Sequence, residues 1–308
     1  MRVEILGSAA GGGFPQWNCN CRNCCALRAG TFRGKARTQT QVAITNDEKP
    51  CFLLGASPDL RLQIEATPIL RPRSGVRDSA IQGVVLTSAD IDQIAGLLSL
   101  RELQPFVIYC SESLRQILQE DNSMFGMLNR AEPQAVWKQI VIGGRFPLLE
   151  VTGREAGLCC EAFSLGSRYP VYVGAKVANL KAEEALLGLV VEASSGARLA
   201  YLPAVAAIDD FLVAKLESAD LILFDGTFWS DDELIRVQGK GTTAREMGHV
   251  PVSGKNGSLQ KLAGLRRPRK VFIHINNTNP MLDESSSEYR EVRNAGWEIA
   301  EDGWSLAL

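Results

Sequence analysis

A chain of 308 residues has room for one large α/β domain or two smaller ones. With 45% apolar and 22% charged residues and a formal net charge of −2, its composition is that of a soluble globular protein, with no electrostatic footprint for nucleic acid or an anionic membrane. Histidine occurs only at positions 249 and 274, which excludes a histidine-rich metal centre.

The first element is a short apolar strand over 3–6, followed by the glycine run Gly11-Gly12-Gly13. A phosphate-cradling loop would continue into a helix with Lys-Ser/Thr. Phe14-Pro15-Gln16-Trp17 comes instead, so the glycines serve close backbone approach rather than nucleotide binding. Strands are expected over 41–45 and 51–54, and a helix over 58–66 with Ser57 as its cap and Pro58 in its first turn. The stretch 68–79 is a connection. Next come a buried strand over 83–87, a helix over 94–103, a strand over 106–109 and a capped helix over 111–120. Further strands are expected over 139–142, 158–163, 171–173, 187–192 and 198–202, the last two joined by the Ser195-Gly196 turn. Helices over 209–216 and 258–265 precede strands over 221–224 and 270–273. Strand-rich stretches in both halves suggest two packed sheets with helices outside, a four-layer α/β sandwich, with a single parallel sheet as the alternative. The most apolar stretch, 185–191, is too short to span a bilayer, and no secretory signal is visible. Many cysteines without an export signal point to a reducing cytoplasm.

Four of the eight cysteines, Cys19, Cys21, Cys24 and Cys25, fall within seven residues. Thiolates at C-x-C-x-x-C spacing can converge on one tetrahedral metal, with zinc the default at roughly 2.3 Å per bond. A reduced cysteine cluster or a local disulfide is the alternative. Four thiolates would close the coordination shell, so this loop, about 17–26, argues for a metal and not for catalysis.

Chemistry is sought instead at three strand ends. Asp90, Asp92 and Gln93 follow Leu86, Asp225 follows Phe224, and His274 follows Ile273. If these ends lie on one side of the fold, the carboxylates and imidazole suit a hard or borderline ion such as Fe²⁺ or Mn²⁺. The competing reading is that Asp92 caps a helix and Asp225 supports a turn. His249 is a candidate ligand, proton shuttle or substrate-facing group. Asn276, Thr278 and Asn279 suit substrate positioning, because such hydrogen-bonding capacity after a buried strand seldom lacks a partner. Arg37, Gln39 and Gln41 alternate, so on a strand they would share one face and could orient an acidic substrate; a solvated strand edge explains them equally. A Ser-His-Asp triad is not supported, since no Gly-x-Ser-x-Gly elbow occurs.

Blocks spanning nearly the whole chain resemble the PqqB family, the coenzyme PQQ synthesis protein B group. They are the 6–21 segment ending in Trp17-Asn18-Cys19-Asn20-Cys21, then Ala56-Ser57-Pro58-Asp59, Ile91-Asp92, the 96–102 block, Asp225-Gly226-Thr227, Arg245-Glu246-Met247-Gly248-His249 and the 274–280 loop. The resemblance implies a single metallo-β-lactamase-like domain over 1–308, an αββα sandwich. It further implies a structural Zn²⁺ on Cys19, Cys21 and Cys24, with Cys25 as a candidate fourth ligand, and a role in pyrroloquinoline quinone (PQQ) biosynthesis. The implied activity is iron-dependent, oxygen-using hydroxylation of the tyrosine ring of a cross-linked Glu–Tyr intermediate. Asp92, His249 and His274 are then the catalytic candidates, and Asp92, Gln93, Asp225 and His274 the candidate ligands of Fe²⁺. A PQQ precursor or PQQ itself and other PQQ-biosynthesis proteins are the expected partners, and a homodimer is a candidate assembly. The superfamily's H-x-H-x-D-H loop reads Ser88-Ala89-Asp90-Ile91-Asp92-Gln93 here, so all three histidines are absent. Gln93 departs from the family's own Asp-His pair, and an amide is a poorer ligand than imidazole. The stretch about 154–185 also departs from the family pattern and is a candidate substrate cover. A carrier that binds the PQQ intermediate without turning it over is therefore the rival to the hydroxylase. A hydrolase of the same fold ranks last.

Overall fold

A computed structural model describes residues 1–46, 50–132 and 134–308. Its strands fall in two seven-stranded sheets with helices flanking them, the metallo-β-lactamase αββα sandwich. Contacts divide the chain into two compact units.

The first unit comprises Met1–Leu6, Gln41–Ala197 and Gly303–Leu308. It holds β1 (Arg2–Gly7), β2 (Gln41–Thr45), β3 (Cys51–Leu54), β4 (Ile81–Val85), β5 (Phe106–Cys110), β6 (Ala135–Gln139) and, from the C-terminus, β14 (Trp304–Ala307). These form one sheet in the order β14-β1-β2-β3-β4-β5-β6. Strands β3 to β6 run parallel; β3 to β5 are largely apolar because parallel strands inside a sheet are covered on both faces, whereas the edge strand β6 is only half-buried. An antiparallel ribbon of β7 (Arg145–Leu149), β8 (Glu155–Gly166) and β9 (Leu186–Ala193) completes the strands of this unit. Its helices include α2 (Leu60–Ala66), α3 (Ile91–Ile94) and α4 (Glu112–Arg115).

The second unit comprises Gly7–Thr40 and Arg198–Asp302. Its strands β10 (Arg198–Leu202), β11 (Leu221–Asp225), β12 (Arg269–Ile273) and β13 (Trp297–Ile299) are parallel neighbours in that order. Its helices are α1 (Arg22–Arg28), α5 (Asp210–Glu217), α6 (Glu233–Gln238), α7 (Ser258–Lys261) and α8 (Ser287–Asn294). Register pairs Asp225 with Ile273, so the C-terminal ends of β11 and β12 lie side by side.

Two expected strands differ from the structure. Residues 171–173 begin a 3₁₀ segment, Val171–Asn179, which Gly174 interrupts with φ 60°. Val171 is 95% exposed, so its β-branched side chain has no sheet to pack on. The strand expected over 139–142 instead ends at Gln139, and Val141 precedes a turn at Gly143, whose φ is 76°. The helix expected over 94–103 is the short α3 continued by a 3₁₀ segment, Ala95–Leu100.

Candidate metal centres

The second unit carries both groups of three or more potential metal ligands found among the described residues, each with its ligand atoms within 4.8 Å of one another. The first is Cys19, Cys21 and Cys24. Cys21 is the N-cap of α1, and Cys24 lies one turn on, on the helix's buried face, so one helical turn brings two thiols together. Cys19 joins them because the Cys21 N–H donates to its sulfur at 3.4 Å, while Arg28 on the same helix donates to the Cys19 carbonyl. Burial raises the Cys21 thiol to about 12. Burial also raises Cys19, but hydrogen bonds from Cys21, Cys24 and Asn277 outweigh it and hold that thiol below its ordinary value. Cys25 is outside the group: its thiol lies 2.8 Å from Asn20 Oδ1 and 3.3 Å from the Asn20 carbonyl. Asn277, which is 3% exposed, faces the group, with its Nδ2 3.0, 3.6 and 3.3 Å from the Cys19, Cys21 and Cys24 sulfurs.

The second group is Asp225, His249 and His274. Asp225 ends β11 and is fully buried; its Oδ2 accepts from Val205 N at 2.9 Å and faces His249 Nδ1 at 2.8 Å. Oδ1 accepts from Thr227 N at 3.0 Å and Thr227 Oγ1 at 2.6 Å. Burial alone would raise this carboxyl, but the neighbouring His249, His274 and Thr227 hold it below the usual carboxylate range. Thr227 Oγ1 also sits 2.8 Å from His274 Nδ1 and 3.1 Å from His249 Nδ1, so one hydroxyl orients both rings. The rings stack at 5.6 Å, inclined by 19°. His274 turns the chain out of β12 with φ 54°, a left-handed conformation uncommon for a residue other than glycine and one that clusters at functional sites. A carboxylate with two imidazoles suits borderline ions such as Fe²⁺, whereas three thiolates suit zinc; both donor sets fit those ions.

The loop after His274 is engaged within its own unit. Asn279 donates to the carbonyls of Gly226 at 3.0 Å and Thr227 at 3.4 Å, and its Oδ1 caps Met281 N. Asn276 donates to Thr278 Oγ1 at 2.5 Å, and that hydroxyl donates to buried Glu233. Thr278 and Asn279 thus tie the loop to its own unit. Burial raises Glu233 to about 7, against hydrogen bonds from Thr278 and from Trp229 N at 2.6 Å. Arg37 is 6% exposed and donates to the Ala300 and Lys35 carbonyls. Gln39 accepts from Gly12 N at 3.2 Å, on the glycine loop.

The remaining sequence candidates lie in the first unit. Gln41 is a brace: its amide donates to the Leu54 and Gly55 carbonyls at 3.2 and 2.9 Å and accepts from Ser57 N at 2.7 Å. Strand β2 begins at Gln41, and Arg37 and Gln39 precede it in isolated bridges to Phe14 and Ala9. Asp92 stands in the first turn of α3. Gln93 is 3% exposed, and neither side-chain polar atom has a partner. A Cβ on Gly55 (φ 79°) would come within 2.6 Å of Gln93 Oε1. Asp92 is not among the acidic, histidine and cysteine side chains that form the second ligand group. Thr227, Glu233 and Asn277 escaped the sequence reading. Thr227 and Asn277 stood in quoted segments, but neither type declares a ligand-orienting role, and Glu233 carries no local signal.

Comparison with known proteins gives a consistent result. The profile of the beta-lactamase superfamily domain matches residues 51–275. Coenzyme PQQ synthesis protein B of Pseudomonas entomophila (strain L48) is 44% identical over 100% of both chains, and that of Pseudomonas putida (strain F1) is 43% identical over the same extent. The crystal structure of Zn(2+)-bound PqqB from Methylobacterium extorquens superposes with a TM-score of 0.91 at 41% identity, covering 100% of both chains.

Proposed function

Because the chain belongs to the coenzyme PQQ synthesis protein B family and so serves pyrroloquinoline quinone biosynthesis, we propose that it is a metal-dependent oxygenase of that pathway. Its substrate in this reading is the tyrosine ring of a cross-linked Glu–Tyr intermediate. The observation that carries the proposal is the convergence of Asp225, His249 and His274 at and beside the ends of β11 and β12. Cys19, Cys21 and Cys24 would hold a structural zinc, as their soft donors and the zinc in the Methylobacterium extorquens relative suggest. Asp225, His249 and His274 would hold iron, which supplies the dioxygen chemistry that ring hydroxylation requires. The buried Asp225 carboxylate balances positive charge in a site where water is scarce. His249, whose side chain is 12% exposed, has Nδ1 against Asp225, so its Nε2 is the atom left to reach a metal. Thr227 fixes His274 through Nδ1 in the same way.

None of the eight cysteines is joined in a disulfide, as the reducing cytoplasm of this reading expects. No helix among the described residues is long and apolar enough to cross a membrane.

A carrier that holds the PQQ intermediate or PQQ unchanged is the second reading. Gln93 favours it, since a neutral amide stands where the family's pair has histidine. The two readings part in one experiment. Protein loaded anaerobically with Fe²⁺ is exposed to oxygen with the cross-linked intermediate, and products are read by mass spectrometry beside a metal count per chain. The oxygenase reading expects a hydroxylated product and a second metal beside zinc. Tight binding of the intermediate with neither outcome would leave the carrier.

A further inference from the structure

Three cysteines are one donor short of a tetrahedral zinc shell, and the fourth cysteine of the motif is turned toward Asn20. We propose that the Asn277 side-chain carbonyl is that fourth donor, and that this bond makes zinc the device that positions His274. The inference rests on the zinc assignment above and adds to it a ligand and a consequence.

Geometry carries the first half. In a tetrahedral site with three sulfurs and one oxygen, bond lengths near 2.3 and 2.0 Å put the oxygen about 3.5 Å from each sulfur. The Asn277 amide terminus already stands at 3.0, 3.6 and 3.3 Å from the three sulfurs. A half-turn about the Cβ–Cγ bond exchanges Nδ2 for Oδ1 at that point without moving the backbone. Asn277 is 3% exposed, which leaves little room for water as the fourth donor. Its backbone is also fastened to the cysteine helix: Asn23 on α1 donates from Nδ2 to the Asn277 and Asn279 carbonyls, both at 3.1 Å.

The second half follows from how little slack separates Asn277 from His274. Ile275 N donates to the Ser8 carbonyl at 3.0 Å and Asn276 N to the Thr227 carbonyl at 3.1 Å. Asn279 N closes the loop onto the Asn276 carbonyl at 3.0 Å, and Thr278 is held by Glu233. A segment fixed at every residue, carrying a left-handed His274 at its start, transmits a displacement of Asn277 rather than absorbing it. Asn277 is in these terms a positioning residue for His274.

The test uses the full-length protein and two readouts. Zinc affinity comes from chelator competition, and His249 and His274 supply the only two imidazole signals of an NMR spectrum. Wild type is expected to bind one zinc per chain more than Cys21→Ser, whose count reports any zinc held by Asp225, His249 and His274. Asn277→Ala should weaken zinc at least about tenfold, and Asn277→Asp should restore it. Asn277→Cys should move the cobalt-substituted visible spectrum to that of four thiolates. Stripping zinc from wild type should shift the His274 ring signals. Wild type without zinc would remove the zinc assignment and this inference together. Zinc bound by wild type, with Asn277→Ala unchanged in affinity and Asn277→Cys unchanged in spectrum, would overturn the ligand alone. Should Asn277→Ala not fold, the Asp and Cys variants decide. Imidazole signals indifferent to zinc would overturn the positioning role.

Discussion

The two ligand groups of the second unit are made in opposite ways. The thiolate group comes from one turn of helix and the two residues before it, so its members are neighbours in sequence and in space. The Asp225–His249–His274 group joins residues up to 49 positions apart, and only the parallel register of β11 with β12 brings two of them together. A local centre stands or falls with its own loop, whereas an assembled one depends on the sheet and on the hydroxyl of Thr227 that reaches all three members.

The largest expected effect strikes the local centre. Cys24→Ser places a hydroxyl at a fully buried ligand position and should abolish zinc binding. Structural zinc contributes directly to folding free energy, so the melting temperature should fall by about 10 °C or more. Scanning calorimetry and elemental analysis check this. Zinc lost without a change in melting would make the loop peripheral and erase the contrast in stability between the two centres.

Asp225→Ala strikes the assembled centre. It leaves the Val205 and Thr227 N–H groups and His249 Nδ1 without their acceptor, all in a buried site. Each orphaned buried donor costs about 1–3 kcal/mol, and chemical denaturation should show the summed loss together with loss of any second metal. Zinc at the cysteines should remain, since none of its ligands changes.

These two centres also differ in how readable they were. Cys19, Cys21 and Cys24 announce themselves because thiolate spacing is a sequence property. Asp225 and His274 were found by a weaker rule, that polar groups at the ends of buried strands gather on one side, and β11 and β12 obey it. Nothing local marks Asn277 above Asn276 or Asn279; only the fold tells which of the three amides meets the sulfurs. Buried strands were legible for the same reason, as β2 and β3 begin and end where their apolar runs do. Strand β7 was not, because Pro147 interrupts a half-exposed edge. Helix α8 buries only Val292 and offers little apolar periodicity to read.

Glu233 sharpens the comparison through pH, because it ties the loop shared by both centres. Burial raises its carboxyl to about 7 from an unfolded value of 4.5, so the folded state holds its proton more tightly than the unfolded chain. The resulting stabilisation is complete below about pH 4.5 and is lost as pH rises through about 7, a change of about 3 kcal/mol. Glu233→Gln should flatten that part of the stability–pH curve, measured by urea denaturation at intervals between pH 4.5 and 7.5. An unchanged slope would mean that other groups titrate there.

The smallest effect concerns Gln93. Both its amide atoms are buried without a partner, and Gly55 must lack a side chain for Oε1 to fit. An unsatisfied buried amide costs about 1–3 kcal/mol, and an apolar side chain of similar volume removes that cost without opening a cavity. Gln93→Met should therefore raise stability by about 1 kcal/mol, seen as a higher urea midpoint at constant slope. A stabilised variant with weakened binding of the PQQ intermediate would identify the amide as a group kept for a ligand at the expense of the fold. A destabilised variant would mean that Gln93 has a partner in solution, and its neutral amide would then cease to favour the carrier reading.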